Sequence, residues 1–359
     1  PMFTAVDDQG GLLFASSFTE DKLCYCSGCR EEVIFKKGVI NQPHFAHKRQ
    51  SFCQYFSEGE TSEHIKGKLL LYEWFKREKF KVKLELFIPE LKQRPDLFIN
   101  YKETRIAIEF QCSPISKKII KKRTRGYIEK GIKVIWILGK KLKVSDKFTS
   151  QQYDYLSINK NGQYNLLQLN QDEQCLEIIT NIRSSDKGIR FQKKILPFES
   201  DKVAVEKTLN TQYLTKETKM KRKSVEVKKL QHLSFYKDKR TRRFFELLYQ
   251  NNLSIQTLPD VLLYCVSNEW LIRTFSYQWK LLLFLWINTL SYYEIITLKR
   301  LGRKVNSWKK ENELIQYLLP YSEETNELLP FIEFLNVLSE VGFLKKVGEL
   351  KWVRIKIEE

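Results

Sequence analysis

Two carboxylates, Asp96 and Glu109, lie thirteen positions apart in the stretch RPDLFINYKETRIAIEFQ, residues 94–111. The runs 95–100 and 105–111 are rich in β-branched and aromatic residues and flank a polar break at 101–104, the pattern of a β-hairpin. A turn centred between Lys102 and Glu103 sets Asp96 directly opposite Glu109, with Cβ atoms about 4.5–5.5 Å apart. Alternation puts Ala107, Glu109 and Gln111 on one face of the second strand and Ile106, Ile108 and Phe110 on the other. Two acids side by side on a half-buried sheet repel and lose hydration unless a cation lies between them. Carboxylate oxygens of this kind suit Mg²⁺ or Mn²⁺. The plainer alternative makes Asp96 a turn acid and pairs Glu109 with Arg94 or Arg105 on the rim.

A second set of chemistry-bearing residues precedes this one. Cys26, Cys29, His44 and His47 read C-x2-C-x14-H-x2-H. Thiolates and imidazoles at short spacing suit tetrahedral zinc, which would supply folding energy to a segment too small for its own core. Cys24 and Cys53 are alternative ligands. Four protein ligands leave no open position for water, so such a zinc is expected to be structural; buried thiols beside surface histidines are the competing reading.

The elements that must position these residues follow from periodicity. Thr61 and Ser62 are good N-cap types for a helix over 63–79, with Ile65, Leu69 and Tyr72 as its core stripe. An alternating strand (Val82, Leu84, Leu86) leads to the hairpin. A basic helix over 116–130 follows, then Gly131 as its C-terminal stop and a buried strand over 134–138, giving the order α-β-β-β-α-β. Arg123 and Tyr127, at i and i+4, share one face of the second helix. His64 and Lys68 are one turn apart and face either phosphate or solvent. Further on, a hairpin is expected around 159–162, a connector over 196–218, and basic blocks at Lys219–Lys229 and Lys237–Arg243. These blocks suit contact with a nucleic-acid backbone, with solvated helix faces as the alternative. Residues 256–340 show aromatic-rich helical patterns, and the chain ends as a helix leading into a basic hairpin, the way winged-helix DNA binders finish. The expected divisions are 1–57, a β/zinc-knuckle-like segment; 58–195, the α/β core; 196–218, a connector; and 219–359, a basic, mainly helical domain.

This order, with RPD, IAIEFQCSPIS, Arg123-x-x-x-Tyr127, GIKVIWILG and the upstream PHFAH and SEHIKGK, resembles the competence protein CoiA family of the PD-(D/E)XK nuclease superfamily over roughly residues 20–140. The resemblance implies a restriction-endonuclease-like α+β fold and metal-dependent DNA cleavage in natural competence and recombination. It implies Asp96 and Glu109 as ligands to Mg²⁺ or Mn²⁺, Glu63 completing or hydrogen-bonding the metal shell, and Gln111 orienting the attacking water. It also implies that Arg123 and Tyr127 reach the active site or the DNA backbone. Gln111 departs from the usual lysine and carries no charge, so Lys68, Lys117 or Arg123 would have to supply the missing cation.

The chain has 359 residues, a formal charge of +19, 42% hydrophobic and 13% aromatic residues. This composition suits a globular protein with room for more than one core. Its positive field favours a polyanion, nucleic acid before membrane, although lysine-rich bias alone would give the same balance. No basic-then-apolar leader opens the sequence, the longest apolar run is too short to span a bilayer, and the odd count of seven cysteines suits a reducing compartment. A cytoplasmic location without membrane insertion is the expectation. DNA is the expected partner, contacted by Lys68, Arg123, Tyr127, Lys237, Arg240, Arg242 and Arg243, with recombination or competence proteins docking on the C-terminal helices. The alternative is a non-catalytic DNA-binding adaptor on a relic nuclease fold.

Overall fold

The computed structural model describes residues 2–19, 22–38, 43–48, 53, 61–158, 163–185, 188–200, 205–206, 226–235, 239–317, 319–320 and 327–356. The chain divides into two compact units, one of residues 1–180 and 193–213, the other of 181–192 and 214–359.

The first unit opens with two small antiparallel pairs. β1 (Thr4–Val6) pairs with β2 (Leu12–Phe14), and β3 (Val33–Lys36) with β4 (His44–His47). Gly10, at φ +85°, permits the tight turn between the first two. These strands have too few apolar residues for a core of their own. Met2, Phe3, Ala5 and Phe45 are instead buried in one cluster with Leu71, Trp74 and Phe75 of α1 (Ser62–Arg77) and with the main sheet.

The sheet contains β5 (Lys81–Leu84), β6 (Leu97–Tyr101), β7 (Thr104–Gln111), β8 (Ile132–Leu138), β9 (Ser157–Ile158), β10 (Tyr164–Asn170), β11 (Cys175–Ser185) and β12 (Gly188–Pro197). Its order is β12-β11-β10-β8-β7-β6-β5, with β9 paired to β10. The β6–β7 hairpin has the expected register, Tyr101 opposite Thr104 and Leu97 opposite Ile108, and Lys102 turns the corner at φ +51°. β7 and β8 are parallel, so their connection must cross over the sheet; α2 (Lys117–Glu129) is that crossover. Ser116 caps its start and Gly131, at φ +65°, releases its end. The residues 159–162 at which a hairpin turn is expected lie outside the described residues, but the strands on either side pair antiparallel, Tyr164 with Ile158.

In the second unit α3 (Glu226–Phe235) and α4 (Arg242–Gln250) precede α5 (Ser276–Asn288), β13 (Ile295–Thr297), α6 (Leu298–Lys310), α7 (Leu329–Glu340), β14 (Leu344–Gly348) and β15 (Lys351–Arg354). The three strands lie in the order β13-β15-β14. The aromatic richness of this region has a packing cause. Trp279 of the apolar α5 meets Phe331 and Phe334 of α7 edge-on, with centroids 5.2 and 5.7 Å apart, and Trp352 of β15 is fully buried. Among the described residues no helix is long and apolar enough to cross a membrane.

Candidate active site and metal centre

β6 begins one residue after Asp96, whose side chain still reaches β7: the Phe110 backbone N–H donates to Asp96 Oδ2 at 2.8 Å. His64 Nε2 stands 3.3 Å from the same oxygen, its ring stacked on Phe110 with centroids 5.6 Å apart. Lys68 Nζ lies 3.6 Å from Asp96 Oδ1. Both side chains come from one face of α1. Gly67 lets that face approach β7, because a Cβ there would collide with the Phe110 ring. Glu109 is served by the other helix. Arg123 Nη2 donates to its Oε2 and Tyr127 OH to its Oε1, each at 2.6 Å. The i,i+4 pair thus converges on the strand carboxylate as expected.

The two acids differ electrostatically. Burial alone would raise the Asp96 carboxyl, but His64, Lys68 and Arg123 hold it well below the usual range. Burial raises Glu109 to about 7 against the pull of Arg123, and the charge of Asp96 adds to the rise. Asp96 is therefore held as an anion, whereas burial works against the charge of Glu109. Glu109 is only 2% exposed, whereas Arg123 is 31% exposed, so Arg123 and the partly open His64–Asp96 pair form the solvent side of the site.

Two expectations change. Lys68, expected to meet DNA, is fully buried in an ion pair with Glu85 and has no surface to offer a phosphate. Glu63, expected at the metal shell, points to the end of β8 and accepts the Lys140 N–H at 2.7 Å. One residue on a helix is about 100° of rotation, so His64 and not Glu63 meets Asp96. The carboxylate that sequence reasoning missed is Glu85. It leaves β5 at φ +52° and is fully buried, with Arg94 Nη1 at 3.2 Å. It also takes the Phe3 and Thr4 N–H groups at 3.1 and 3.3 Å and the Thr4 hydroxyl at 3.0 Å. Arg94 and Lys68 bring it to about 2 although burial opposes them. A single acid in the apolar run Leu84-Glu85-Leu86 was the available signal. Gln111, on the Glu109 side of β7, donates its amide to Ser113 O at 2.8 Å.

The cysteine-rich segment does gather ligands, in a corrected set. Cys26 Sγ, Cys29 Sγ, a His47 ring nitrogen and Cys53 Sγ all lie within 4.8 Å of one another. His44 is outside the group, for a reason of parity. PHFAH forms a strand, and residues an odd number apart on a strand face opposite ways, so His44 and His47 cannot share an ion. Cys53 takes the fourth place, while Cys24 donates to Val33 O at 3.2 Å. The donor set fits zinc: ligands about 2.3 Å from a tetrahedral ion lie about 3.8 Å apart. Burial, with Cys29 and Cys53 beside it, pushes the metal-free Cys26 thiol up to about 12, so binding an ion there must expel a proton. Asp96 and Glu109 offer the hard oxygens a divalent ion prefers. However, Arg123 and Tyr127 already occupy both Glu109 oxygens, and an ion on Glu109 would have to displace Arg123.

The basic block at 237–243 is partly engaged in ion pairs. Lys237 lies outside the described residues, and Arg240 and Arg242 are exposed before and at the start of α4. Arg242 leans on Glu246 at 2.9 Å. Arg243, expected to hold DNA, closes a fork on Glu313 with Nε 2.9 Å from both carboxylate oxygens, and so joins α4 to the segment after α6.

Two family models match the chain: the nuclease-like domain of competence protein CoiA over residues 60–213 and the N-terminal domain of competence protein CoiA over residues 15–56. A curated relative, "Competence protein CoiA" of Bacillus subtilis (strain 168), is 38% identical over 115 residues. That match spans 32% of this chain and 31% of the relative. No solved structure matches.

Proposed function

Since the chain belongs to the competence protein CoiA family and carries that family's nuclease-like domain, we propose that it is a metal-dependent DNA nuclease acting on incoming DNA in competence. The observation that supports this reading best is the closeness of Asp96, just before β6, to Glu109 on β7, with a partly exposed arginine acting on both. Asp96 and Glu109 would hold Mg²⁺ or Mn²⁺, which supplies Lewis acidity and a nucleophile at neutral pH. Arg123, displaced from Glu109, is placed to meet a phosphate oxygen. His64 keeps Asp96 ionised, and Gln111, uncharged and on the same face as Glu109, offers a hydrogen bond to water. The Cys26–Cys29–His47–Cys53 group would hold structural zinc.

The test is a cleavage panel in Mg²⁺ or Mn²⁺ on single-stranded, duplex and branched DNA, with Asp96→Ala as control. Metal-dependent cleavage that Asp96→Ala abolishes is the expected result, and cleavage by that variant at the parent rate would remove the assignment. One observation favours a second reading. Glu109 is saturated by Arg123 and Tyr127, and no lysine stands at position 111. A site locked in this form would leave a DNA-binding adaptor that recruits recombination proteins, and such a protein would bind the panel's substrates without cutting them.

A further inference from the structure

The second unit contains a basic surface that the proposed nuclease site does not use. Among the described residues its chain order α5-β13-α6-α7-β14-β15, with sheet order β13-β15-β14, is a three-helix core closed by a hairpin whose last strand lies between the other two. That is the winged-helix order. In helix-turn-helix proteins the last helix of the set enters the major groove. Here that helix, α7, is unsuited to the task. Six of its twelve residues are buried and it has no lysine or arginine. Glu333 accepts the Asn268 N–H and side-chain amide at 2.8 and 2.6 Å, and Asn336 accepts from Trp352 at 3.1 Å. The remaining exposed charge, Glu340, would repel phosphate.

The preceding helix has the opposite character. α6 carries Lys299, Arg300, Arg303, Lys304, Lys309 and Lys310 in thirteen residues with no acid. Its buried side is Leu301, Gly302, Val305 and Trp308. Two of the cations are already used, Arg300 by Glu294 and Lys309 by Glu327 at 2.7 Å, and Lys304 lies over the Trp308 ring. Lys299, Arg303 and Lys310 are exposed with Asn306 in one stripe of 4-3-4 spacing, and none has a carboxylate partner among the described residues. Such a stripe is about 16 Å long, the rise of roughly five base pairs along one strand. The hairpin continues it. Thr297, which caps α6 by accepting the Arg300 N–H at 3.3 Å, stands directly opposite Lys351 in the sheet. Lys345, Lys346 and Lys351 are all exposed.

We propose that this unit is a winged-helix module that grips the backbone of duplex DNA through Lys299, Arg303 and Lys310 of α6 and the lysines of the β14–β15 hairpin, without reading bases through α7. A cation stripe with no base-edge reader gives affinity that depends on salt and is indifferent to sequence. The inference rests on the DNA-processing reading of the chain, but its test is binding and not cleavage.

The experiment uses the full chain carrying Asp96→Ala, so that substrate stays intact, with a fluorescently labelled duplex titrated by anisotropy across a salt series. Lys299→Ala/Arg303→Ala/Lys310→Ala is expected to raise Kd at least about tenfold near physiological salt. The slope of log K against log salt should fall by about 2.7, at about 0.9 per phosphate contact. Duplexes of unrelated sequence should bind the parent alike. If the triple variant melts early, Arg303→Ala and Lys310→Ala singly should each lower the slope by about 0.9. An unchanged slope, absence of duplex binding by the parent, or strong preference for one sequence would overturn the proposal; the first would leave an acidic protein as the partner of α6. Cleavage in the Asp96-containing chain is scored separately. A chain that never cuts but loses binding with the triple variant ends the nuclease reading alone, and one that cuts while the triple variant binds normally ends this inference alone.

Discussion

Glu109 is where chemistry and stability are hardest to separate. Truncating it to alanine would strand the Arg123 guanidinium and the buried Tyr127 hydroxyl without their acceptor, so Glu109→Gln is the cleaner probe. We expect Glu109→Gln to stay folded and to lose metal-dependent cleavage, read as a melting temperature near the parent beside a null nuclease assay; turnover at the parent rate would exclude Glu109 from the chemistry. Lys68 makes a different prediction. It is the buried cation between Glu85 and Asp96, and Lys68→Met leaves Glu85 with Arg94 alone and Asp96 with His64, a change that costs up to about 3–5 kcal/mol. Urea unfolding would measure this as a lower midpoint, and an unchanged midpoint would mean that Arg94 and His64 suffice. The register of the hairpin that carries Glu109 was legible in the sequence because a turn and a strand period determine it. Glu85 was not, because its placement depends on a left-handed residue after β5 and on donors more than eighty positions away.

At the scale of elements, the cysteine-rich segment shows how one motif supports two readings until its secondary structure is known. Counted as a finger, PHFAH supplies two ligands; folded as β4, it supplies one, and Cys53 fills the gap. Elemental analysis of freshly purified protein should find close to one zinc per chain. Cys53→Ser should lose most of it, and His44→Ala should keep it. Equal zinc loss in both variants would restore the finger arrangement. The α-β-β-β-α-β order and the ends of both helices were readable from caps and periodicity. The close approach of α1 to β7 was not, because the meaning of Gly67 lies in the Phe110 ring across from it. The three-stranded sheet of the second unit was legible only in its closing hairpin, since β13 is three residues long and merges into α6 without a break.

At the scale of the whole molecule, each unit has a buried carboxyl whose raised pKa makes stability fall as pH rises, Glu109 in the first and Glu333 in the second. Burial, with Glu269 nearby, raises Glu333 on α7 to about 7 from an ordinary 4.5. The folded state therefore binds this proton more tightly than the unfolded chain. The resulting stability is full below about pH 4.5 and is lost as pH rises through about 7, by at most ~3 kcal/mol. Melting the chain at about pH 5.5 and about pH 8 should show this loss, and Glu333→Gln should remove its share while the contribution of Glu109 stays; a parent whose stability is the same at both would contradict the burial argument. The hydrogen bonds from Phe3 and Thr4 to Glu85 have another consequence, for where this protein can be cut. A fragment starting at residue 60, where the nuclease-like family model begins, would lack three donors to a fully buried carboxylate, and also the Met2, Phe3 and Phe45 side chains that close the core over α1. The nuclease-like segment, as the family model bounds it, thus lacks part of its own core, and the amino-terminal strands act as a wall supplied in cis.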